Sequence, residues 1–186
     1  MNKRELAAQL VKSGLIEFGY FQNPKPGAYR LRFDLLPAYP QLLGQVATAL
    51  IALFDTATID RWVCDSDSVP LGTAISLQTG IPLVYSAGKG EAPLYDLVGA
   101  YDVGHPAALI LNVVTDAGLV HRLIAQGAQV GLEIKTGVAL MGINATPEIT
   151  PLLPFETFIR HLMDAGMLPA GQATAIYAQN ANHHPG

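Results

Sequence analysis

The most informative segment of this chain is Ala107-Ala-Leu-Ile-Leu-Asn-Val-Val-Thr-Asp-Ala-Gly-Leu-Val-His-Arg122. Its apolar run, Ala107–Leu111, is typical of a central strand in a parallel sheet, because such a strand is covered on both faces. Thr115, Asp116 and Gly118 then favour a tight turn from strand to helix. A turn of this kind presents backbone N–H groups to an anion. We therefore expect the functional site at this turn.

Length and composition predict one domain with a covered surface. The chain has 186 residues and 19.8 kDa, which suits a single domain over residues 1–180 followed by a disordered tail at 181–186. Apolar residues make up 50% of the chain and charged residues only 14%, whereas about 25% charged residues is usual. A subunit interface that covers part of the surface would explain this shortage of charge, so we expect a homodimer.

The same composition argues against several classes of protein. The net charge of −4 comes without any basic run, which disfavours a nucleic-acid partner. We find no apolar window long enough to span a membrane and no signal-peptide core after Met1, and we expect a cytoplasmic protein. Cys64 is the single cysteine and is expected in the core. The histidines, including His183 and His184 in the tail, lack the spacing of metal ligands, so no metal site is predicted.

Strand and helix patterns alternate along most of the chain, which predicts an α/β protein with a mainly parallel central sheet flanked by helices. A short hairpin, or flap, precedes that sheet. The expected helices are Lys3–Ser13, Gln41–Phe54, Leu71–Thr79, a helix that follows Asp116 and ends at Gly127, Phe155–Ala165 and Ala170–Gln179. The expected strands are Phe18–Phe21 and Tyr29–Phe33 in the flap, then Arg61–Cys64, Pro82–Tyr85, Leu94–Ala100, Ala107–Val113, Val130–Ile134 and Val138–Met141.

The turn after the central strand resembles the phosphoribosyl-diphosphate (PRPP) motif of the type I phosphoribosyltransferases. In that motif four apolar residues lead into two acids and then Val-x-Thr-Thr-Gly-Gly-Ser. Leu111 and Asn112 stand at the two acidic positions of this chain. The positions that keep the frame are Val113, Val114, Thr115 and Gly118, and the further departures are Asp116, Ala117 and Leu119.

The order of elements over residues 5–140 resembles the orotate phosphoribosyltransferases in particular. Leu10-Val-Lys-Ser-Gly14 followed by Phe18-Gly-Tyr-Phe21 is similar to that family's leucine-rich opening helix and its Phe-Gly-x-Phe. Lys25 with Gly27, and Phe33-Asp34, are similar to the elements of its flap. The resemblance implies a type I phosphoribosyltransferase-like fold with a small N-terminal flap. It also implies a homodimer that acts in pyrimidine nucleotide synthesis.

The resemblance also implies roles for individual residues. Lys89 is the one basic residue left in Ser86-Ala-Gly-Lys-Gly-Glu-Ala-Pro93, which stands where the family has its catalytic loop. The implied ligand-binding residues are Lys25, Asp65, Asp67, Asn112, Thr115, Asp116, Ala117, Gly118 and Arg122. No cofactor is implied apart from Mg²⁺, which would be needed if the protein transfers ribose.

Several of these residues are poorly suited to PRPP. The family's two acids accept hydrogen bonds from the ribose hydroxyls, but Leu111 accepts nothing and Asn112 offers only a neutral acceptor. Asp116 brings a negative charge to a loop that should hold a phosphate. Its alternative role is to cap the following helix through its carboxylate. Asp65 and Asp67 would repel pyrophosphate unless a Mg²⁺ ion intervened.

The basic candidates also have a second interpretation. Lys25 is either a contact to a ligand anion or a solvated lysine of the flap. Arg122, or the adjacent His121, is either a contact to a ligand carboxylate or an exposed residue of the helix. A helix can turn only one of these two neighbours toward the site.

Three functions are compatible with these patterns. The first is a protein of the phosphoribosyltransferase fold that has lost or weakened PRPP-dependent transfer and binds a small molecule or nucleotide, or acts as a regulator. The second is a working transferase for orotate or another nucleobase with a divergent PRPP site. The third is a purely structural oligomer, which the low charge favours. Fold alone does not choose between them.

Overall fold

The computed structural model describes residues 2–22, 27–88, 96–144 and 146–181. Within it the chain forms two compact units, Leu36–Leu152 and a second unit made of Met1–Leu35 together with Leu153–Gly186. The tail at 182–186, expected to be disordered, lies outside the described residues. No described helix is both long enough and apolar enough to cross a membrane.

The larger unit is built on the expected parallel sheet. Its strands lie in the order β5-β4-β3-β6-β7-β8, in which β3 pairs in parallel with β4 and β6, β6 pairs in parallel with β7, and β5 runs antiparallel to β4. The strands are β3 (Arg61–Cys64), β4 (Leu83–Ser86), β5 (Leu97–Val98), β6 (Pro106–Val114), β7 (Glu133–Gly142) and β8 (Ile149–Pro154). The helices of this unit are α2 (Pro40–Ile51), α3 (Val69–Thr79) and α4 (Ala117–Gln129).

The prediction that Ala107–Val113 forms a central strand is confirmed. β6 lies between β3 and β7, with Ala107 opposite Arg61 on one side and Leu111 opposite Ala139 on the other. Its residues 107–112 and 114 are buried, so both faces of the strand are covered, as the apolar run Ala107–Leu111 predicts. The carboxyl ends of β3, β4, β6 and β7 therefore meet at one edge of the sheet.

Two predictions around β7 are wrong, and glycines explain both. Val130–Ile134 and Val138–Met141 were expected as two strands, but one continuous strand runs from Glu133 to Gly142. Gly137 does not interrupt it, because Gly137 pairs with Leu109 on β6. Glycine is required there, since a Cβ would lie 2.6 Å from the Leu109 Cβ and 2.6 Å from the Leu109 carbonyl oxygen. Gly127 likewise lies inside α4, where a Cβ would overlap the Ile134 side chain.

Other strands and helices begin or end a few residues away from their predicted bounds. Of the expected strand Leu94–Ala100, the structure has Leu97–Val98, and residues 94 and 95 lie outside the described part. The helix expected over Gln41–Phe54 begins at Pro40 and ends at Ile51. The strand β8 was not expected, because Ile149–Pro154 contains two prolines, which weaken any strand pattern.

Gly137→Ala is expected to lower the free energy of unfolding by about 2–3 kcal/mol, the usual cost of overpacking a core. The new methyl group would meet backbone atoms of Leu109, which cannot swing aside as a side chain can. Gly44→Ala is the matched control, because Gly44 lies inside α2 and a Cβ added there would have no atom within 4 Å. This control should gain about 0.5–1 kcal/mol. Urea unfolding would measure both changes, and equal stability of the two variants would contradict the packing assigned to Gly137.

The smaller unit contains the flap and three helices. β1 (Ile16–Phe21) and β2 (Gly27–Leu31) pair antiparallel, so the expected hairpin is confirmed. The helices are α1 (Lys3–Lys12), α5 (Phe155–Asp164) and α6 (Ala170–Ala181).

The flap is held to α6 within this unit. The Ala28 N–H donates to Gln179 Oε1 at 2.5 Å, and the Tyr29 hydroxyl donates to Asn180 Oδ1 at 2.9 Å. The Tyr29 ring also packs on the Phe155 ring with 4.9 Å between centroids. Side chains far apart in sequence therefore fix the hairpin within its unit.

Candidate functional site

Asp116 caps the helix that follows β6. Its Oδ1 accepts a hydrogen bond from the Gly118 N–H at 2.7 Å, and its Oδ2 accepts one from the Thr115 hydroxyl at 3.1 Å. The backbone of Asp116 is extended, as the residue before a helix requires. The capping role proposed for Asp116 is confirmed.

The cap changes what the first turn of α4 can bind. A free helix N-terminus attracts anions through its exposed N–H groups and its dipole. Here the Gly118 N–H already has a carboxylate partner, and that partner carries the negative charge that the dipole favours. Asn144 also stabilises the turn, because its Nδ2 donates to the Thr115 carbonyl at 2.9 Å. A phosphate arriving at this turn would have to displace the cap and would meet its charge.

Asp116→Ala is expected to lower the free energy of unfolding by about 1 kcal/mol, the typical value of a lost N-cap. Asp116→Asn keeps an acceptor for the Gly118 N–H and should lose only a small part of that amount. Chemical denaturation of the two variants and the wild type would compare them. An alanine variant as stable as the wild type would mean that this carboxylate does not stabilise the helix.

Asn112 lies almost buried at the end of β6, with 6% of its surface exposed. Its backbone N–H donates to Ser68 Oγ at 2.8 Å, and its Nδ2 donates to the Asp67 carbonyl at 2.7 Å. These bonds join β6 to the turn that follows β3. The side-chain oxygen, Oδ1, is buried and has no hydrogen-bond partner among the residues that the structure describes. A buried acceptor without a donor lowers the free energy of unfolding by about 1–3 kcal/mol, so a hydrogen-bond donor at this oxygen would stabilise the protein.

Leu111, at the other position where the family has an acid, is a core residue. Its side chain is 1% exposed and belongs to the apolar core of the larger unit. Val120 and Leu123 of α4 and Ala139 of β7 belong to the same core. Residue 111 therefore packs the sheet against α4 and cannot contact a ribose.

Asp65 and Asp67 lie in the turn after β3. Asp65 accepts a hydrogen bond from the Ser68 N–H at 3.1 Å, which orders the turn. Burial raises the pKa of Asp65 above its ordinary value, the bond from Ser68 opposes this shift, and the charge of Asp67 adds to it. Burial, followed by the charge of Asp65, also raises the pKa of the buried thiol of Cys64, which is the expected core residue. The turn after β3 therefore carries two carboxylates, of which Asp65 is half-buried and Asp67 is exposed.

Asp65→Asn is expected to stabilise the protein more at pH 7 than at pH 3. Because the folded-state pKa of Asp65 is raised, the folded protein holds this proton more tightly than the unfolded chain does. The wild type therefore loses stability as the pH rises from below the ordinary carboxyl range through the folded pKa. Asparagine cannot ionise and still offers an acceptor to the Ser68 N–H. Melting temperatures of both proteins across this pH range measure the difference, and a gap independent of pH would refute the shift.

The remaining predicted residues fall into three groups. Lys25 and Lys89 lie outside the described residues. Arg122 and His121 are both exposed on α4, which agrees with the solvent-facing interpretation of Arg122. Ala117 begins α4 and is half-buried. The structure thus joins Asn112 to Asp65 through Ser68 and to the Asp67 carbonyl directly. It joins Thr115, Asp116 and Gly118 in the cap.

Some polar residues near this edge were not expected from the sequence. Ser68 is buried and contacts Asn112, although the two are 44 positions apart. Ser86 at the end of β4 donates its hydroxyl to the buried carboxylate of Asp96, and Gln126 Nε2 lies 3.4 Å from the same oxygen. The sequence shows only that these residues are polar. Which partners they contact is determined by the tertiary fold.

The solved structures that superpose on this chain include several phosphoribosyltransferases. A UMP synthase of Leishmania donovani superposes with a TM-score of 0.84 at 20% identity, over 98% of this chain and 43% of its own. Orotate phosphoribosyltransferases of Francisella tularensis and Aeropyrum pernix superpose with TM-scores of 0.68 and 0.70, at 14% and 15% identity. The matches cover 96% of this chain and 98% of the Francisella chain, and 87% of this chain and 99% of the Aeropyrum chain. This chain has the type I phosphoribosyltransferase fold.

The expected fold class and the resemblance to orotate phosphoribosyltransferases are thereby confirmed at the level of the fold. This chain spans less than half of the UMP synthase chain, so the activities of that longer protein do not transfer with the fold. No family model and no curated protein sequence matches this chain. Identities of 14–20% leave the chemistry to be argued from the site itself.

Proposed function

We propose that this protein uses the phosphoribosyltransferase fold to bind a small molecule at the edge where β3 and β6 end, with PRPP-dependent transfer lost or much weakened. The observation that carries the proposal is the Asp116 carboxylate, which lies 2.7 Å from the Gly118 N–H. It occupies a donor that a ribose phosphate would need at this turn. We therefore expect a ligand to bind at this edge of the sheet, and we expect the turn at Asp116 to disfavour PRPP.

The positions corresponding to the family's two acids support the same conclusion. A pair of carboxylates accepts charge-assisted hydrogen bonds from ribose hydroxyls. These bonds are about twice as strong as hydrogen bonds to neutral acceptors. Leu111 lies in the core and offers no such bond. Asn112 keeps one neutral oxygen. A ligand can still bind there, but its ribose would be held much more weakly.

A working transferase with a divergent site is the second candidate, and one observation favours it. The unpartnered Asn112 Oδ1 lies at a position where the family has a ribose acceptor, so it can accept one hydroxyl. Under this alternative the substrate is orotate or another nucleobase, the pathway is pyrimidine nucleotide synthesis, Lys89 is catalytic and Mg²⁺ accompanies PRPP. Lys25 and Arg122 then serve as anion contacts.

We further propose that residues 1–180 work as one functional domain in a cytoplasmic homodimer. The proposal rests on a charged fraction of only 14% and on exposed apolar side chains such as Leu77, which is 81% exposed. Single apolar residues on a surface are common, so the low charge of the whole chain carries more weight. Light scattering at micromolar concentration tests it, and a monomeric mass would refute the dimer.

A melting-temperature screen distinguishes the two candidate functions. The wild type is measured with PRPP, orotate, nucleotides and nucleosides, each with and without Mg²⁺, since a ligand at 100 times its Kd stabilises by about 2.7 kcal/mol. The proposal predicts no shift with PRPP and a shift with at least one ligand that lacks pyrophosphate. A large Mg²⁺-dependent shift with PRPP would favour the transferase, and no shift with any ligand would favour a structural oligomer.

A further inference from the structure

The helices α2 and α3 carry no charged side chain. Residues 39–54 and 68–88, which contain both helices, include no aspartate, glutamate, lysine, arginine or histidine. Both helices nevertheless have exposed positions, among them Gln45 on α2 and Leu77 on α3. The face of a helix that stays in water usually carries charged residues. The outer side of these two helices therefore has the composition of a surface that is covered.

Hydrogen bonds join the outer sides of the two helices into one surface. Gln78 Nε2 donates to the Gly44 carbonyl at 3.1 Å, and the Thr48 hydroxyl lies 3.0 Å from that carbonyl and 3.0 Å from Gln78 Oε1. We call the surface formed by these three residues with Gln45 and Leu77 the α2–α3 face. The Thr48 and Gln78 side chains are bonded within the face, so covering them costs less than covering unpaired polar groups.

The α2–α3 face has both a projecting side chain and an open position. Leu77 is 81% exposed, and it precedes Gln78, which is bonded to α2. A Cβ added at Gly44 would have no atom within 4 Å, so the surface there is open. An isologous dimer brings the same patch of each copy together. A face with a projection and open surface close to one another suits such a self-complementary contact.

Charge indicates which partner fits this face. Across a two-fold axis a charged patch meets its own like charges, which costs several kcal/mol by order of magnitude, whereas an uncharged patch avoids this repulsion. A face without lysine or arginine has no electrostatic attraction for an anionic membrane surface. It also offers no charge to a charged protein. A second copy of this chain is the partner whose charge pattern matches.

We propose that two copies of this chain pack through the α2–α3 face across a two-fold axis, with Leu77 of each copy buried in the contact. This inference rests on the homodimer proposed above and names its surface. Burial of Leu77 in both copies removes apolar area from water twice in each dimer, which stabilises the association.

The helix α6 provides a matched comparison. It also contains no charged residue, and Ala175 and Ala178 are exposed along it. Its largest exposed side chain, Tyr177, is 40% exposed, against 81% for Leu77. Absence of charge is therefore common to both surfaces, and the projecting apolar side chain favours the α2–α3 face.

Lysine substitutions test the face by analytical ultracentrifugation of the 186-residue chain at micromolar concentrations. The wild type is expected to sediment as a dimer. Leu77→Lys is expected to raise the dissociation constant of the dimer by about 30-fold or more, as the loss of a central contact does. Gln45→Lys, on the other helix, should raise it by about tenfold through repulsion between like charges.

The controls are Ala175→Lys and Ala178→Lys on α6, which add the same charge and should leave the dissociation constant unchanged. Because the chain has a net charge of −4, each added lysine lowers the overall repulsion between copies. Dissociation of a variant therefore reports on the substituted face. A cooperative melting transition is required of every variant, and either α2–α3 variant that meets this requirement provides the test.

Two results would overturn the inference. The first is a dimer that remains as tight in the folded Leu77→Lys and Gln45→Lys variants as in the wild type. The second is a dimer weakened by the α6 substitutions and not by these two, which would make α6 the interface. A wild type that sediments as a monomer would instead refute the proposed homodimer itself. None of these results bears on ligand binding where β3 and β6 end, so the two proposals fail separately.

Discussion

The wild-type protein is expected to convert no measurable orotate in the presence of PRPP and Mg²⁺. Transfer from PRPP develops negative charge on the leaving pyrophosphate, and enzymes stabilise such charge with preorganised donors. The described turns here instead carry Asp65, Asp67 and Asp116, which oppose that charge. Removing one preorganised donor commonly costs 10²–10³-fold in rate, by order of magnitude, so several changes together would abolish detectable turnover. The loss of orotate absorbance measures the rate directly.

A control enzyme makes that result decisive. An active orotate phosphoribosyltransferase is assayed under identical conditions, and the present protein is checked for an intact melting transition in the same buffer. Sustained turnover by the wild type, dependent on both PRPP and Mg²⁺, would show that the turn at Asp116 has been aligned wrongly with the family motif. It would also make the second candidate function correct.

Leu111→Asp is expected to remove most of the stability of the larger unit. Leu111 is 1% exposed within an apolar core, so an ionised carboxylate there would have no partner among the core side chains. An unpaired buried charge together with the lost apolar burial should cost at least about 4 kcal/mol. A typical domain has about 5–15 kcal/mol in total. Leu111→Met, which keeps the volume, should cost less than about 1.5 kcal/mol.

Trp62 provides the measurement, because it is the only tryptophan and is fully buried on β3. Its fluorescence during urea unfolding reports on the larger unit. A Leu111→Asp variant as stable as the methionine variant would show that this position is more open than its burial indicates. This prediction also limits any attempt to restore the family motif with Leu111→Glu, Asn112→Asp and Asp116→Thr together. Failure of that triple variant to bind PRPP is informative only if its melting transition is intact.

The parts of the structure that the sequence predicted well are those set by local chemistry. β6 was predictable because a strand buried on both faces needs an unbroken apolar run. The Asp116 cap was predictable because Thr-Asp before a helical period favours an N-cap. The hairpin followed from two strand-like runs separated by prolines and a glycine.

The parts that were missed depend on contacts between distant residues. Gly137 interrupts a strand pattern in sequence, yet the strand continues through it, because Gly137 pairs with Leu109 at a close approach that only glycine fits. The unpartnered oxygen of Asn112 depends on where the turn after β3 places Ser68 and the Asp67 carbonyl. These partners are 44 and 45 positions away, and no local pattern identifies them.

Titration of PRPP into the wild-type protein shows whether the turn at Asp116 rejects this ligand, because it measures binding without requiring turnover. Isothermal calorimetry with Mg²⁺ in excess is compared with the same titration of Asp116→Ala, which frees the Gly118 N–H and removes one charge. We predict no saturable heat with the wild type up to millimolar PRPP. Saturable, Mg²⁺-dependent binding of PRPP to the wild type at micromolar concentration would contradict the account.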